Sequence, residues 1–121
     1  MSFLILATVT ASACLLLGLG FLGAGAAMLR QWGQDAPPAA LLMSRRIGAV
    51  YLGLSLMLLL GRAAPPSELR TALCAGFALA TALLAGLGSS ELLRGRASRG
   101  ILLSIFVESA LALSFLATLR S

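Results

Sequence analysis

The stretch GILLSIFVESALALSFLATL, Gly100–Leu119, runs for 20 residues with one charge, Glu108, and is bounded by Arg99 and Arg120. At 1.5 Å of helical rise per residue, about 20 apolar residues cross a hydrocarbon core of roughly 30 Å. A run of this length and composition therefore predicts a transmembrane helix. The rest of the chain repeats the pattern. Of its 121 residues, 60% are hydrophobic and 11% are charged, a balance that leaves room for four such spans and no separate soluble domain. The expectation is an all-α membrane protein, an antiparallel four-transmembrane-helix bundle forming a single integral membrane domain.

Working back from Glu108, a third span is expected over residues 69–88. It follows the Pro65-Pro66 turn, with Ser67 and Glu68 suited to cap its start. The first span is expected over 3–29, ending at Arg30. The connection Gln31-Trp-Gly-Gln-Asp-Ala-Pro-Pro38 then places Trp32 at the level of interfacial aromatics. No basic residue precedes the first apolar run, and the run continues past Ala11-Ser-Ala-Cys14, so it reads as a retained helix rather than a cleaved signal.

The second span is short of apolar residues. The clean run Ile47–Leu60 covers 14 residues, about 21 Å, which is too little to cross. Extending it to 39–61 restores the length but carries Arg45 and Arg46 about 9 Å inward from that end. Arginines at that depth must snorkel to the interface or meet an acid.

Charge sets the expected orientation. All nine cationic residues are arginine, and histidine is absent. The first and third loops hold Arg30, Arg45, Arg46, Arg94, Arg96 and Arg99, whereas Arg62, Arg70 and Arg120 lie on the other side. The positive-inside rule puts the first and third loops in the cytoplasm and both termini outside, in the periplasm of a cell inner membrane. Because these arginines flank apolar segments, they read as orientation and headgroup anchors. Nucleic acid is not an expected partner.

An acid inside a span is costly, and such residues usually have a partner or a task. With the third loop cytoplasmic, Glu108 lies about 12 Å from that edge, near the depth of Arg45 and Arg46. Successive helical residues point about 100° apart, so one arginine at most faces a given neighbour. The face Arg45, Gly48, Leu52, Ser55 carries a small residue and a hydroxyl, which favours Arg45 as the partner of Glu108 while Arg46 snorkels. Ser104, one turn before Glu108, and Tyr51 complete the candidate polar set with Ser55. Two readings stay open: a contact that fixes helix register in a structural or accessory protein, or a site for a small amphipathic ligand such as a lipid, quinone or drug-like molecule. A membrane protein partner facing Glu108 is the remaining option.

Other signals are weaker. Gly18-x-Gly20-x-x-Gly23 matches a dinucleotide-binding pattern but lies within an apolar span, where glycines serve close helix packing. Small residues every four positions mark Gly20/Ala24 and Gly23/Ala27 in the first span and Ala72/Gly76/Ala80 and Ala78/Ala82/Gly86 in the third as contact seams. Cys14 and Cys74 fall in apolar segments without metal-ligand or redox spacing. Glu91 beside Arg94 reads as an interfacial anchor. No catalytic set, cofactor or metal is expected.

The stretch Arg45-Arg-Ile-Gly-Ala-Val-Tyr-Leu-Gly-Leu-Ser-Leu-Met-Leu-Leu-Leu60, followed by a closing helix with an internal acid, Glu108, resembles the small bacterial four-span proteins grouped with the DoxX-like membrane families. The resemblance covers roughly residues 45–119. It implies a four-helix membrane bundle without a settled activity, and it places quinone-linked or redox-accessory roles among the expectations.

Overall fold

The computed structural model describes residues 2–120, with the backbone alone at Arg120, whose side chain in the arginine count lies outside the described part. Five helices follow in order: α1 (Phe3–Gly23), α2 (Gly25–Gln31), α3 (Pro38–Gly61), α4 (Glu68–Leu93) and α5 (Leu102–Arg120). A single 3-10 turn, Arg99–Ile101, precedes α5. Four segments are long and apolar enough to cross a membrane, Phe3–Gly23, Pro38–Gly61, Glu68–Leu93 and Arg99–Leu119. The chain is an all-α, multi-pass membrane bundle.

The start of α4 carries the expected cap, and α1 begins on one of the same kind. The Ser67 hydroxyl accepts from the Arg70 N–H at 3.2 Å, with Glu68 in the first turn of α4, and Ser2 does the same for Ile5 in α1. Pro37 and Pro38 open α3, where the missing N–H would have no intrahelical partner anyway.

The first span differs from a continuous helix over 3–29. It breaks at Ala24 (φ −138°, ψ 36°), between Gly23 and Gly25. Glycine on both sides weakens the helix there, and tertiary contact takes advantage of it. Gly25 is buried against the Ser44 side chain, where a Cβ would collide with the Ser44 hydroxyl. Redirecting the last two turns lets this bare backbone meet α3.

Packing is concentrated in two hairpins, α1 with α3 and α4 with α5. In the first, Gly18 and Gly48 lie in mutual backbone contact: a Cβ on Gly48 would sit 2.8 Å from the Gly18 carbonyl oxygen. Two serines of α3 lock this approach. The Ser44 hydroxyl donates to the Phe21 carbonyl at 3.0 Å and the Ser55 hydroxyl to the Ala11 carbonyl at 2.8 Å. The packing role of the glycine motif thus rests on Gly18, while Gly20 accommodates the Met28 thioether and Gly23 faces open space.

In the second hairpin, α4 buries Cys74, Ala78, Thr81, Ala85 and Gly88, a four-three alternation that keeps to one face of the helix. The expected four-residue seams are corrected by this pattern. Strict steps of four drift about 40° per step around a 3.6-residue helix. Accordingly, Ala82 and Gly86 are exposed, and Ala72, Gly76 and Ala80 line an open apolar cleft of about 260 Å³ shared with Leu54 and Met57 of α3.

The hairpins are joined at both ends. Toward the termini, Phe3, Leu6, Ala7 and Ala11 of α1 meet Leu58, Cys74, Ala78 and Phe115 in one core. Phe77 and Phe115 stack at 5.2 Å, and Arg70 lies over the Phe3 ring at 4.3 Å. At the opposite end, Ser98 donates its N–H to the Trp32 carbonyl at 2.9 Å and its hydroxyl to Gln31 at 2.8 Å, while the Gln34 amide donates to the Arg96 carbonyl. Gly33 (φ +78°) and Gly95 (φ +75°) make the turns in these two loops. The first and third loops therefore share one end of the bundle.

Candidate functional site

Helix α5 is two-faced. Leu102, Leu103, Phe106, Val107, Leu113 and Leu116 are exposed, whereas Ser104, Glu108, Ala112 and Phe115 lie on the inward side. Glu108 is half-buried there, and the Ser104 hydroxyl donates to its carboxyl oxygen Oε1 at 2.9 Å. Ser104 and Glu108 stand one turn apart on one helix, as their spacing predicts.

The other helices place polar groups at the same depth. Counted at about 1.5 Å per residue from their helix ends, Cys14, Tyr51, Thr81 and Glu108 all lie roughly 15–20 Å in from the end carrying the termini. Tyr51 is within electrostatic range of both Glu108 and Cys14. Its ring stacks on Phe21 (6.0 Å, 11°), which in turn meets Trp32 edge-on at 6.0 Å. This aromatic ladder runs from the loop end into the bundle and ends on Tyr51, at the depth of the acid. The Tyr51 hydroxyl makes no hydrogen bond among the described residues.

Arg45 is not the partner of Glu108. It is exposed on α3 and lines a second cleft, of about 190 Å³, at the α1–α2 break. Depth was legible and direction was not. The inward face of α3 is Ser44, Gly48, Tyr51, Ser55 and Leu58, about 100° from Arg45, and it packs on α1 rather than on α5. Arg46 is exposed as well. Ser55 is buried, but its hydroxyl is committed to Ala11, so it belongs to the packing of the first hairpin.

Sequence reasoning missed two groups. Ser44, four residues before Gly48, carries the small-residue spacing that marks close helix contacts, and it is buried at the α1 interface. Thr10 is 1% exposed with a hydroxyl that has no hydrogen-bond partner among the described residues. Threonine in an apolar helix usually bonds its own backbone, so no sequence signal marks this position.

The ion pair among the described residues lies outside the bundle. Arg96 holds Glu91 through Nε at 2.6 Å and its second nitrogen at 2.9 Å, where Arg94 was the expected neighbour. Hydrogen bonding to Glu91 raises the Arg96 guanidinium pKa above its ordinary value. Both side chains are exposed, so the pair anchors the third loop and adds little stability.

No family model, curated protein or solved structure matches the chain.

Proposed function

We propose that this protein is a small accessory protein of the cell inner membrane that offers Glu108, with Ser104 and Tyr51, to a small amphipathic ligand entering sideways from the bilayer. The observation carrying this reading is that, among the described residues, the only hydrogen bond to the Glu108 carboxyl comes from its own helix. A residue that fixes helix register must bond another helix, and in this bundle Ser44 and Ser55 do so. Glu108 is left with acceptor capacity at mid-depth, where an unsatisfied carboxyl is costly. A ligand with a cationic or hydrogen-bond-donating head and an apolar body supplies what it lacks. The sparse packing between the two hairpins supports lateral entry.

Tetraphenylphosphonium and tetraphenylborate, equal in size and opposite in charge, test the site. The cation raises the melting temperature of the detergent-solubilised protein and the anion does not. Glu108→Gln keeps an acceptor for Ser104 and abolishes the shift. An equal shift in Glu108→Gln excludes the carboxyl as the site.

The orientation follows the arginine distribution, with both termini periplasmic, and the shared end of the first and third loops is compatible with it. A reporter fused after Ser121 is expected to read periplasmic; a cytoplasmic reading reverses the topology. Kinship with DoxX-like four-span proteins remains a proposal resting on the Arg45–Leu60 stretch and Glu108. It makes a quinone one member of the ligand class.

A further inference from the structure

The cleft at the α1–α2 break is separate from the Glu108 layer and has its own chemistry. Its walls are Phe21, Leu22, Gly23 and Leu41, with Arg45 beside them. The room comes from the helix break itself, since a Cβ on Gly23 would meet nothing within 4 Å. Arg45 makes no hydrogen bond or ion pair among the described residues. Of the acids, Glu91 is held by Arg96 and Glu108 is met by Ser104, and neither Asp35 nor Glu68 forms an ion pair with it. A guanidinium about 10 Å along a membrane helix from its start requires an anion or water.

The level of the cleft indicates which anion is available. Phe21, one of its walls, carries Trp32 against its ring, and tryptophan concentrates at the boundary between headgroups and acyl chains. Arg30, Arg46 and Arg99 at the same end also form no ion pair among the described residues, so the local field draws anions. A guanidinium presents a planar fork that matches two phosphate oxygens, and basic pockets of this kind between membrane helices suit anionic headgroups. We propose that this cleft binds the phosphate group of an anionic phospholipid through Arg45, with the acyl chain lying along Leu22 and Leu41.

Native mass spectrometry of the detergent-solubilised full chain tests this with three probes: phosphatidylglycerol, phosphatidylcholine and inorganic phosphate. Phosphatidylglycerol adducts are expected to survive activation in preference to phosphatidylcholine adducts. Arg45→Gln lowers phosphatidylglycerol affinity by about tenfold or more, the range for losing a charge-assisted hydrogen bond, while Arg46→Gln, outside the cleft, leaves it within about twofold. Gly23→Leu keeps Arg45 and fills the open space, and it is expected to lower binding as well. Equal binding by Arg45→Gln and Arg46→Gln, or equal retention of phosphatidylcholine, overturns the proposal. Displacement of the lipid by inorganic phosphate at comparable concentration assigns the site to free phosphate and overturns the lipid assignment.

Discussion

Gly48→Leu is expected to prevent stable association of α1 with α3. A single carbon at this position already sits 2.8 Å from the Gly18 carbonyl oxygen and 3.1 Å from the Leu22 nitrogen. The obstacle is backbone on the opposite helix, so no side-chain rotation relieves it and the helices must separate. Overpacking of a core costs typically about 1–3 kcal/mol, and a clash against backbone belongs at the upper end. Separation also lengthens both serine hydrogen bonds, Ser44 to Phe21 and Ser55 to Ala11, because they span the same interface. Interhelical bonds in membranes contribute about 0.6 kcal/mol each on average, so the combined loss approaches about 4 kcal/mol. Gly53→Leu is the control, since its added Cβ meets nothing within 4 Å. Unfolding in dodecyl sulfate, followed through Trp32, the single tryptophan, reports both variants. Similar midpoints for the two would show that the Gly18–Gly48 contact does not hold the hairpin together.

Phe115→Ala is the second large effect. Phe115 is 0% exposed, stacks on Phe77 and sits where residues of all four spanning helices converge. In a soluble core, Phe→Ala costs about 3–5 kcal/mol, combining lost transfer energy with an unfilled cavity. Within a bilayer the transfer part is largely absent, because lipid is as apolar as the core, and lost packing contacts remain. About 2–3 kcal/mol is therefore expected. Phe106→Ala, with Phe106 72% exposed on the same helix, removes the same side chain from the lipid-facing side and is expected to leave the midpoint nearly unchanged. Equal destabilisation by both variants would mean that the joint core contributes nothing beyond general apolarity.

The contrast between Glu108 and Arg45 shows where sequence reading reaches its limit in a membrane bundle. Their depths follow from residue counts, because a helix rises by a fixed amount per residue. Their directions do not. In a soluble helix, polarity marks the outer face. In this chain leucine covers both faces, and exposed leucines outnumber the buried large apolar residues that form the core. Inward faces are instead marked by small residues in the four-three alternation that α4 displays, and reading every fourth residue selects the wrong stripe.

The surroundings of Glu108 were legible in part. Ser104 follows from its spacing alone, since residues four apart on a helix are neighbours. The depth of Tyr51 follows from residue counts, whereas its stacking on Phe21, which in turn meets Trp32, requires knowledge that α1 lies against α3. Ser55 carried the right polarity but serves another purpose, because its hydroxyl found a backbone carbonyl before any ligand could.

Composition and apolar run lengths were sufficient to determine that this is a four-span helical membrane protein with an acid at mid-depth, because bilayer thickness imposes a length that local sequence either meets or fails to meet. Which helices pair, where the first one breaks, and whether Glu108 meets an arginine were decided by tertiary packing. Those outcomes depend on the approach of two backbones at Gly18 and Gly48 and on the rotation of each helix about its axis. Uniform lipid outside the bundle leaves almost no trace of that rotation in the distribution of apolar residues.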